Sequence, residues 1–185
     1  ILSLFALVTG NSDNAYLTIG VIVLFLPLYA FRDMYGLNGW AIHHNISIWR
    51  EAYPSDGFVY WVFWNMSGPW LCNHIWEHYL FTKDVDFLKK YYPILKGSAT
   101  FCSEWLIENS KGKLVTPVST SPENAYLMPD DTPASVCEGS TMDIAIIRSL
   151  FSNTIEASKI LQTDRDFRSE LIKKRSKLKG YQIGS

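Results

Sequence analysis

Cysteine is scarce in this sequence, and positive charge is not in excess. Cys72, Cys102 and Cys137 are widely spaced and form no C-x-x-C pair. This number and spacing argue against a disulfide framework and favour small apolar core residues. The chain has 17 Lys and Arg against 18 Asp and Glu, which gives a net charge of -1. Because nucleic acid binding needs cations to neutralise phosphates, no nucleic acid partner is expected.

Charge is also scarce at the start of the chain. Residues 1–31 contain one charged side chain, Asp13, and the apolar run 17–31, which Pro27 interrupts. This run is shorter than the roughly 20 apolar residues of a membrane-spanning helix, and no basic stretch precedes it as in a signal peptide. We expect an atypical apolar N-terminal segment over 1–31 and favour a buried core segment, so no membrane partner is expected. A damaged or mistranslated stretch, and a membrane or signal segment, are the alternatives.

Apolar residues recur at helical spacing through much of the remaining chain. Pro69 suits the first turn of a helix with Ser67 as its cap, and the pattern predicts that this helix runs to about Thr82. Asp84 is expected to cap the next helix, and Pro93 to start a fresh one.

Two more helices are predicted near the end of the sequence. Ser140 or Thr141 is expected to cap a helix whose first turn carries Asp143, and Asp164 to cap the last helix. Residues 117–139 contain four prolines and no long period, which predicts a long structured loop of the kind that often carries function. Since strand signals are few and the helices follow one another in pairs, we expect an all-α fold, either a bundle or an α/α toroid.

Two stretches combine tryptophans with neutral hydrogen-bonding side chains. GWAIHHNISIW holds His44 and Asn45 between two tryptophans, and WVFWNMSGPW holds Trp64 and Trp70. Flat apolar faces beside hydrogen-bonding groups suit the C–H face and the hydroxyls of a sugar. A buried polar network in the first stretch and aromatic core packing in the second are the alternative interpretations.

The stretch HIWEH matches the H-x-x-E-H pattern of inverted zinc peptidases. His74 and His78 would be metal ligands one helical turn apart, with Glu77 as the base. The pattern is short, and no motif identifies the third ligand that zinc needs. The same side chains are otherwise structural polar groups on a helix, or His74 and Glu77 act in a site without metal.

A carboxylate, Glu123, follows a proline in the predicted loop, with hydroxyls before it and Asn124 after it. Desolvation by nearby Trp and Tyr would raise its pKa, as a general acid requires. On spacing alone, a solvated loop glutamate is the favoured interpretation.

Four motifs occur in order between about Met34 and Ile183: GWAIHHNISIW, WNMSGPWLCNHIWEHYLF, STSPENAY and STMDIAIIRSLF. Together they resemble glycoside hydrolase family 95, which contains α-L-fucosidases and some α-L-galactosidases. The resemblance implies that residues 32–185 are a fragment of an (α/α)6 catalytic toroid that needs no metal or other cofactor. The H-x-x-E-H pattern then belongs to a long helix of the family, and zinc is not implied.

The resemblance also implies an inverting mechanism, in which a carboxylic acid protonates the leaving oxygen and a base activates water. It assigns the acid to Glu123. The base of the family is an Asp, and an Asn-x-Asn pair orients the water, but neither has a visible counterpart in this sequence. We therefore expect a middle piece of a longer enzyme, inactive and marginally stable alone.

The function expected from the resemblance is removal of terminal α-L-fucose, 1,2-linked, from a fucosylated oligosaccharide or glycan. A non-catalytic remnant or a sugar-binding module is the alternative, and a zinc peptidase is the least favoured. The compartment stays open, and an extracellular or periplasmic location would fit the complete protein. Motif position and polar chemistry assign seven residues to the sugar pocket: His44, Asn45, Trp64, Trp70, His74, Glu77 and Asn124.

Overall fold

The computed structural model describes residues 34–44, 54 and 56–181. The segment expected to be atypical, 1–31, and the candidate Asn45 lie outside these residues. Most of the described chain is helical, as predicted, and none of its helices is both long and apolar enough to cross a membrane. The described helices include α1 (Val59–Val62), α2 (Ser67–Thr82), α3 (Val85–Trp105), α4 (Thr141–Ile160) and α5 (Arg165–Lys177).

The helical hairpin of α2 and α3 confirms the predicted extent of the first helix and the cap of the second. Helix α2 ends at Thr82, and Lys83 turns the chain in a left-handed conformation with φ of 56°. Asp84 then accepts a hydrogen bond from the Phe87 N–H at 2.9 Å, which satisfies one of the open donors at the start of α3. The predicted cap of α2 was wrong, because Met66 holds that position and Ser67 is the first helical residue.

Helix α3 runs through Pro93 without a break, so the prediction of a fresh helix there was wrong. A proline inside a helix leaves the carbonyl four residues earlier without its donor. Here that carbonyl belongs to Lys89, and both Lys89 and Pro93 are exposed, so water reaches this side of the helix. The opposite face of α3 stays buried on either side of the proline, and this continuous burial outweighs the lost hydrogen bond.

The core lies between consecutive helices. Helix α2 packs against α3 and α4, α3 also packs against α4, and α4 packs against α5. The largest fully buried side chains include Phe101 and Phe151, on α3 and α4. Cys72 and Cys102 are buried and free as predicted, and burial raises the pKa of the Cys72 thiol to about 12.

The two caps predicted for the later helices had different outcomes. Ser140 caps α4 and accepts from the Asp143 N–H at 3.2 Å, as predicted. Asp164 occupies the cap position of α5 without a side-chain cap bond. Its carboxylate instead accepts from the Lys96 ammonium at 2.8 Å, and so joins the start of α5 to α3.

The predicted long loop contains short antiparallel ladders. Strand β1 (Ile107–Glu108) pairs with β2 (Leu114–Val115) just before the loop. Within it, β3 (Ser119–Thr120) pairs with β6 (Val136–Cys137), and β4 (Tyr126–Leu127) pairs with β5 (Pro133–Ala134). The inner pair therefore lies between the two strands of the outer pair along the chain. Glu123 falls in the turn that joins β3 to β4.

Trp40 fixes the extended segment that precedes the helices. Its indole N–H donates to the Ile94 carbonyl at 3.0 Å, and its backbone N–H donates to the Gly97 carbonyl at 3.3 Å. The indole lies in a slot where Gly68 of α2 and Gly97 of α3 present no side chain, because a Cβ at either glycine would come within 2.6 Å of the ring. This anchor sets the position of residues 41–44, which lead into the candidate site.

Candidate active site

An open cavity of about 330 Å³ lies where loops and helix starts meet. This volume is at the lower end of the usual range for ligand pockets, about 300–1,000 Å³, and suits a single sugar ring. Within the described part of the chain, the cavity is lined by His44, Trp64, Trp70, Pro122, Glu123 and Met142.

His44 reaches the cavity because the segment before it is extended and held at both sides. Ile42 forms a parallel bridge with Met66. The next residue, His43, is buried and hydrogen-bonded to the Tyr35 hydroxyl, with 2.8 Å between Nε2 and Oη. Successive side chains of an extended segment point to opposite sides, so His44 lines the cavity. The alternative interpretation of this stretch, a buried polar network, thus describes His43, whereas His44 lines the cavity and its binding of a sugar stays a prediction.

Trp64 forms a fixed wall of the cavity. Only 4% of the residue is exposed, and its ring centroid is 6.2 Å from that of His44. The indole N–H donates to Asp143 Oδ1 at 3.0 Å. Trp64 is therefore packed in the aromatic core and also lines the cavity.

Trp70 forms a second, more open wall from the first turn of α2. It is 48% exposed, and the His74 ring meets it edge-on with 6.0 Å between centroids. His74 Nδ1 lies 3.4 Å from a Glu77 carboxylate oxygen. His74 and Glu77 are not among the residues that line the cavity, and of the two only His74 is recorded in contact with the Trp70 ring.

Glu123 is an exposed carboxylate at the cavity, preceded by the lining residue Pro122. The turn that carries it is closed by the Asn124 N–H, which donates to the Ser121 carbonyl at 2.7 Å. The Asn124 side chain is exposed and is not among those that line the cavity. The turn therefore brings one carboxylate to two tryptophans and a histidine, which are the groups needed to hold a sugar beside a proton donor.

The first turn of α4 contributes two residues that sequence reasoning did not place in the site. Met142 lines the cavity, and Asp143 lies behind Trp64. Burial raises the pKa of Asp143, while hydrogen bonds from Ser119, Thr116, Trp64 and Ser140 oppose that rise. The sequence signal for Asp143 was the Ser-x-x-Asp spacing at a helix start, which indicates a cap and not a contact to a tryptophan 79 residues away.

The H-x-x-E-H residues are engaged in separate contacts. His78 stacks on the Phe87 ring of α3 with 3.9 Å between centroids, whereas His74 pairs with Glu77 beside Trp70. Among the residues that the structure describes, no group of three His, Cys, Asp or Glu side chains is arranged to hold a metal ion. The cavity therefore combines one carboxylate with two tryptophans and a histidine.

This chain belongs to glycosyl hydrolase family 95, because residues 29–185 match the model of that family's catalytic domain. The H-x-x-E-H pattern lies inside the matched region. The chain is also 47% identical over 133 residues to the protein named Alpha-L-fucosidase 2 of Arabidopsis thaliana. That alignment covers 71% of this chain and 16% of the plant protein, so the chain spans a small part of its relative's length.

Proposed function

We propose that this chain is part of an α-L-fucosidase that removes terminal α-L-fucose, 1,2-linked, with inversion of configuration. The observation that carries the proposal is that Glu123 shares a cavity with His44, Trp64 and Trp70. The family membership and the name of the plant relative support fucoside hydrolysis as the reaction. In this proposal Glu123 is the general acid that protonates the leaving oxygen.

The cavity walls suit the two sides of a fucose ring. L-Fucose carries a methyl group at C5 and C–H bonds on its ring, and these apolar parts pack on a flat indole face such as that of Trp70, which is 48% exposed, beside the small exposed part of Trp64. Its hydroxyls need hydrogen-bonding partners, which His44 supplies as a ring that both donates and accepts. Asn45 is a further proposed contact, on its position in the motif alone. His74 and Glu77 are proposed to act through Trp70, and Asn124 through the turn that holds Glu123.

Inversion requires a second group that activates water on the opposite face of the sugar. The two carboxyls of an inverting enzyme lie about 6.5–9.5 Å apart. Among the described residues lining the cavity, Glu123 is the only carboxylate. Because the alignment covers 16% of the plant relative, we propose that sequence outside these 185 residues supplies the base and completes an (α/α)6 toroid. The 185 residues alone are then expected to be inactive.

The stereochemistry of the released sugar tests the proposed reaction. We expect the full-length protein to hydrolyse a fucosyl-(1→2)-galactoside and to release β-L-fucose first, because water attacks the face opposite the leaving group. Proton NMR during the first minutes of hydrolysis, before the anomers equilibrate, distinguishes the two products. Initial release of α-L-fucose would refute inversion. Binding of fucosides without any turnover would favour a sugar-binding module instead.

A further inference from the structure

Asp143 is a buried carboxylate outside the cavity lining that contacts one of the lining residues. The residue has no exposed surface. Its Oδ1 accepts the Trp64 indole N–H at 3.0 Å, and its Oδ2 accepts the Thr116 hydroxyl at 2.9 Å. A buried carboxylate is tolerated only where hydrogen bonds replace its lost water. The positions of these two donors are therefore tied to the position of the carboxylate.

The two donors belong to parts of the chain that meet at the cavity. Trp64 is a cavity wall, and Thr116 begins the path through β3 to Glu123. The Thr116 carbonyl also accepts the Gly139 N–H at 3.0 Å, immediately before the cap of α4. One side chain on the first turn of α4 thus joins the aromatic wall to the backbone that leads to the carboxylate.

We propose that Asp143 is a positioning residue for sugar binding, which acts by fixing the orientation of the Trp64 ring. This inference rests on the function proposed above. An indole has a single hydrogen-bond donor. An acceptor at Nε1 therefore selects one orientation of the ring about the Cβ–Cγ bond. Because only 4% of Trp64 is exposed, a small rotation would change which part of the ring meets the sugar. A charged acceptor holds the donor more strongly than a neutral one.

The test compares Asp143→Asn with Trp64→Phe in the full-length protein, singly and together. Asparagine keeps the size of the side chain but removes the charge, and phenylalanine removes the indole N–H. We expect Asp143→Asn to raise KM for a fucosyl-(1→2)-galactoside about 10-fold, with kcat changed less than about 3-fold, because the lost interaction is a charged hydrogen bond. In the Trp64→Phe background, the same substitution is expected to change KM by less than about 2-fold.

Thr154→Val is the matched control, because Thr154 is equally buried on α4 and donates to the Leu150 carbonyl at 2.8 Å within the helix. It is expected to leave KM unchanged even if it lowers stability. A wild-type KM for Asp143→Asn would overturn the inference, as would an Asp143→Asn effect that is just as large in the Trp64→Phe background. If Asp143→Asn does not fold, Thr116→Val is the second variant, because it removes the hydroxyl that donates to Asp143 Oδ2. Its effect on KM must likewise disappear in the Trp64→Phe background.

Titration with L-fucose, followed by tryptophan fluorescence, separates this inference from the proposed function. Wild-type protein that neither binds L-fucose nor hydrolyses the fucoside would overturn the proposed function and this inference with it. Wild-type binding that Asp143→Asn leaves unchanged would overturn the role of Asp143 alone. A weaker L-fucose affinity in Asp143→Asn, by the same factor as its rise in KM, is the expected result.

Discussion

Glu123→Gln in the full-length protein is expected to lower kcat for a fucosyl-(1→2)-galactoside by about 10²–10⁴-fold, the usual contribution of a general acid. Glutamine occupies nearly the same volume and still forms hydrogen bonds, but it cannot give a proton to the leaving galactose oxygen. Glu123 is exposed at the cavity and packs in no core, so the melting temperature should be unchanged. Steady-state kinetics and calorimetry of the purified variant measure both quantities.

Glu138→Gln is the matched control for this substitution. Glu138 is exposed, lies in the same long loop and is not among the residues that line the cavity. Its replacement removes the same charge and should leave kcat within about 2-fold, since surface charges away from a site have small effects. Equal losses in the two variants would mean that the charge of the loop matters and that Glu123 is not the proton donor.

The second large effect is expected from Gly39→Ala, which should destabilise the protein by about 3 kcal/mol or more. Gly39 has φ of 80°, and a Cβ there would lie 2.2 Å from the Gly97 carbonyl oxygen and 2.7 Å from the Phe101 nitrogen. Both atoms belong to the backbone of α3, so no side chain can move aside. Displacing this segment would also break the Trp40 N–H bond to Gly97 and shift His44, so hydrolysis should fall as well. Urea unfolding gives the loss of stability.

Gly36→Ala separates the steric effect from the backbone effect. Gly36 has φ of 65°, but nothing lies within 4 Å of the Cβ that would be added. Gly36→Ala should therefore lower the free energy of unfolding by only about 1–2 kcal/mol, which is the cost of a left-handed conformation for alanine. The difference between the two variants measures the close approach of the segment to α3. If both alanines cost the same, the slot between the segment and α3 is looser than the structure shows.

Local sequence patterns predicted most of the helices because their signals are local. The apolar spacing of α2 and the caps Asp84 and Ser140 depend on residues within one turn, and the structure confirms them. The helix boundary predicted at Pro93 was wrong because tertiary packing keeps α3 continuous there. The proline faces solvent while the opposite face of α3 is buried. Asp164 was expected to cap α5, but its carboxylate accepts a hydrogen bond from Lys96 instead. Lys96 is 68 residues away, so no local pattern reveals this contact.

The cavity shows the same division between local and long-range information. Motifs identified Glu123, His44, Trp64 and Trp70, and the structure brings these four to one cavity. Motif membership did not separate the residues that line the cavity from their neighbours on the next helical turn, so His74 was grouped with Trp70 although it contacts that ring and does not line the cavity. Met142 and Asp143 were missed because their positions at the cavity depend on how the first turn of α4 meets Trp64 and Thr116, which are distant in sequence. A sequence pattern indicates which residues belong together, whereas packing decides which of them reach the cavity.

The most direct test of the account is the dependence of kcat/KM on the leaving group of aryl α-L-fucosides, measured for the wild type and for Glu123→Gln. An acidic phenol departs without a proton, whereas a weakly acidic one needs the general acid. If Glu123 is the proton donor, kcat/KM depends only weakly on phenol pKa in the wild type and steeply in the variant, and the two converge for the most acidic phenols. Parallel dependences, with the variant lower by a constant factor, would contradict a proton-donating role for Glu123.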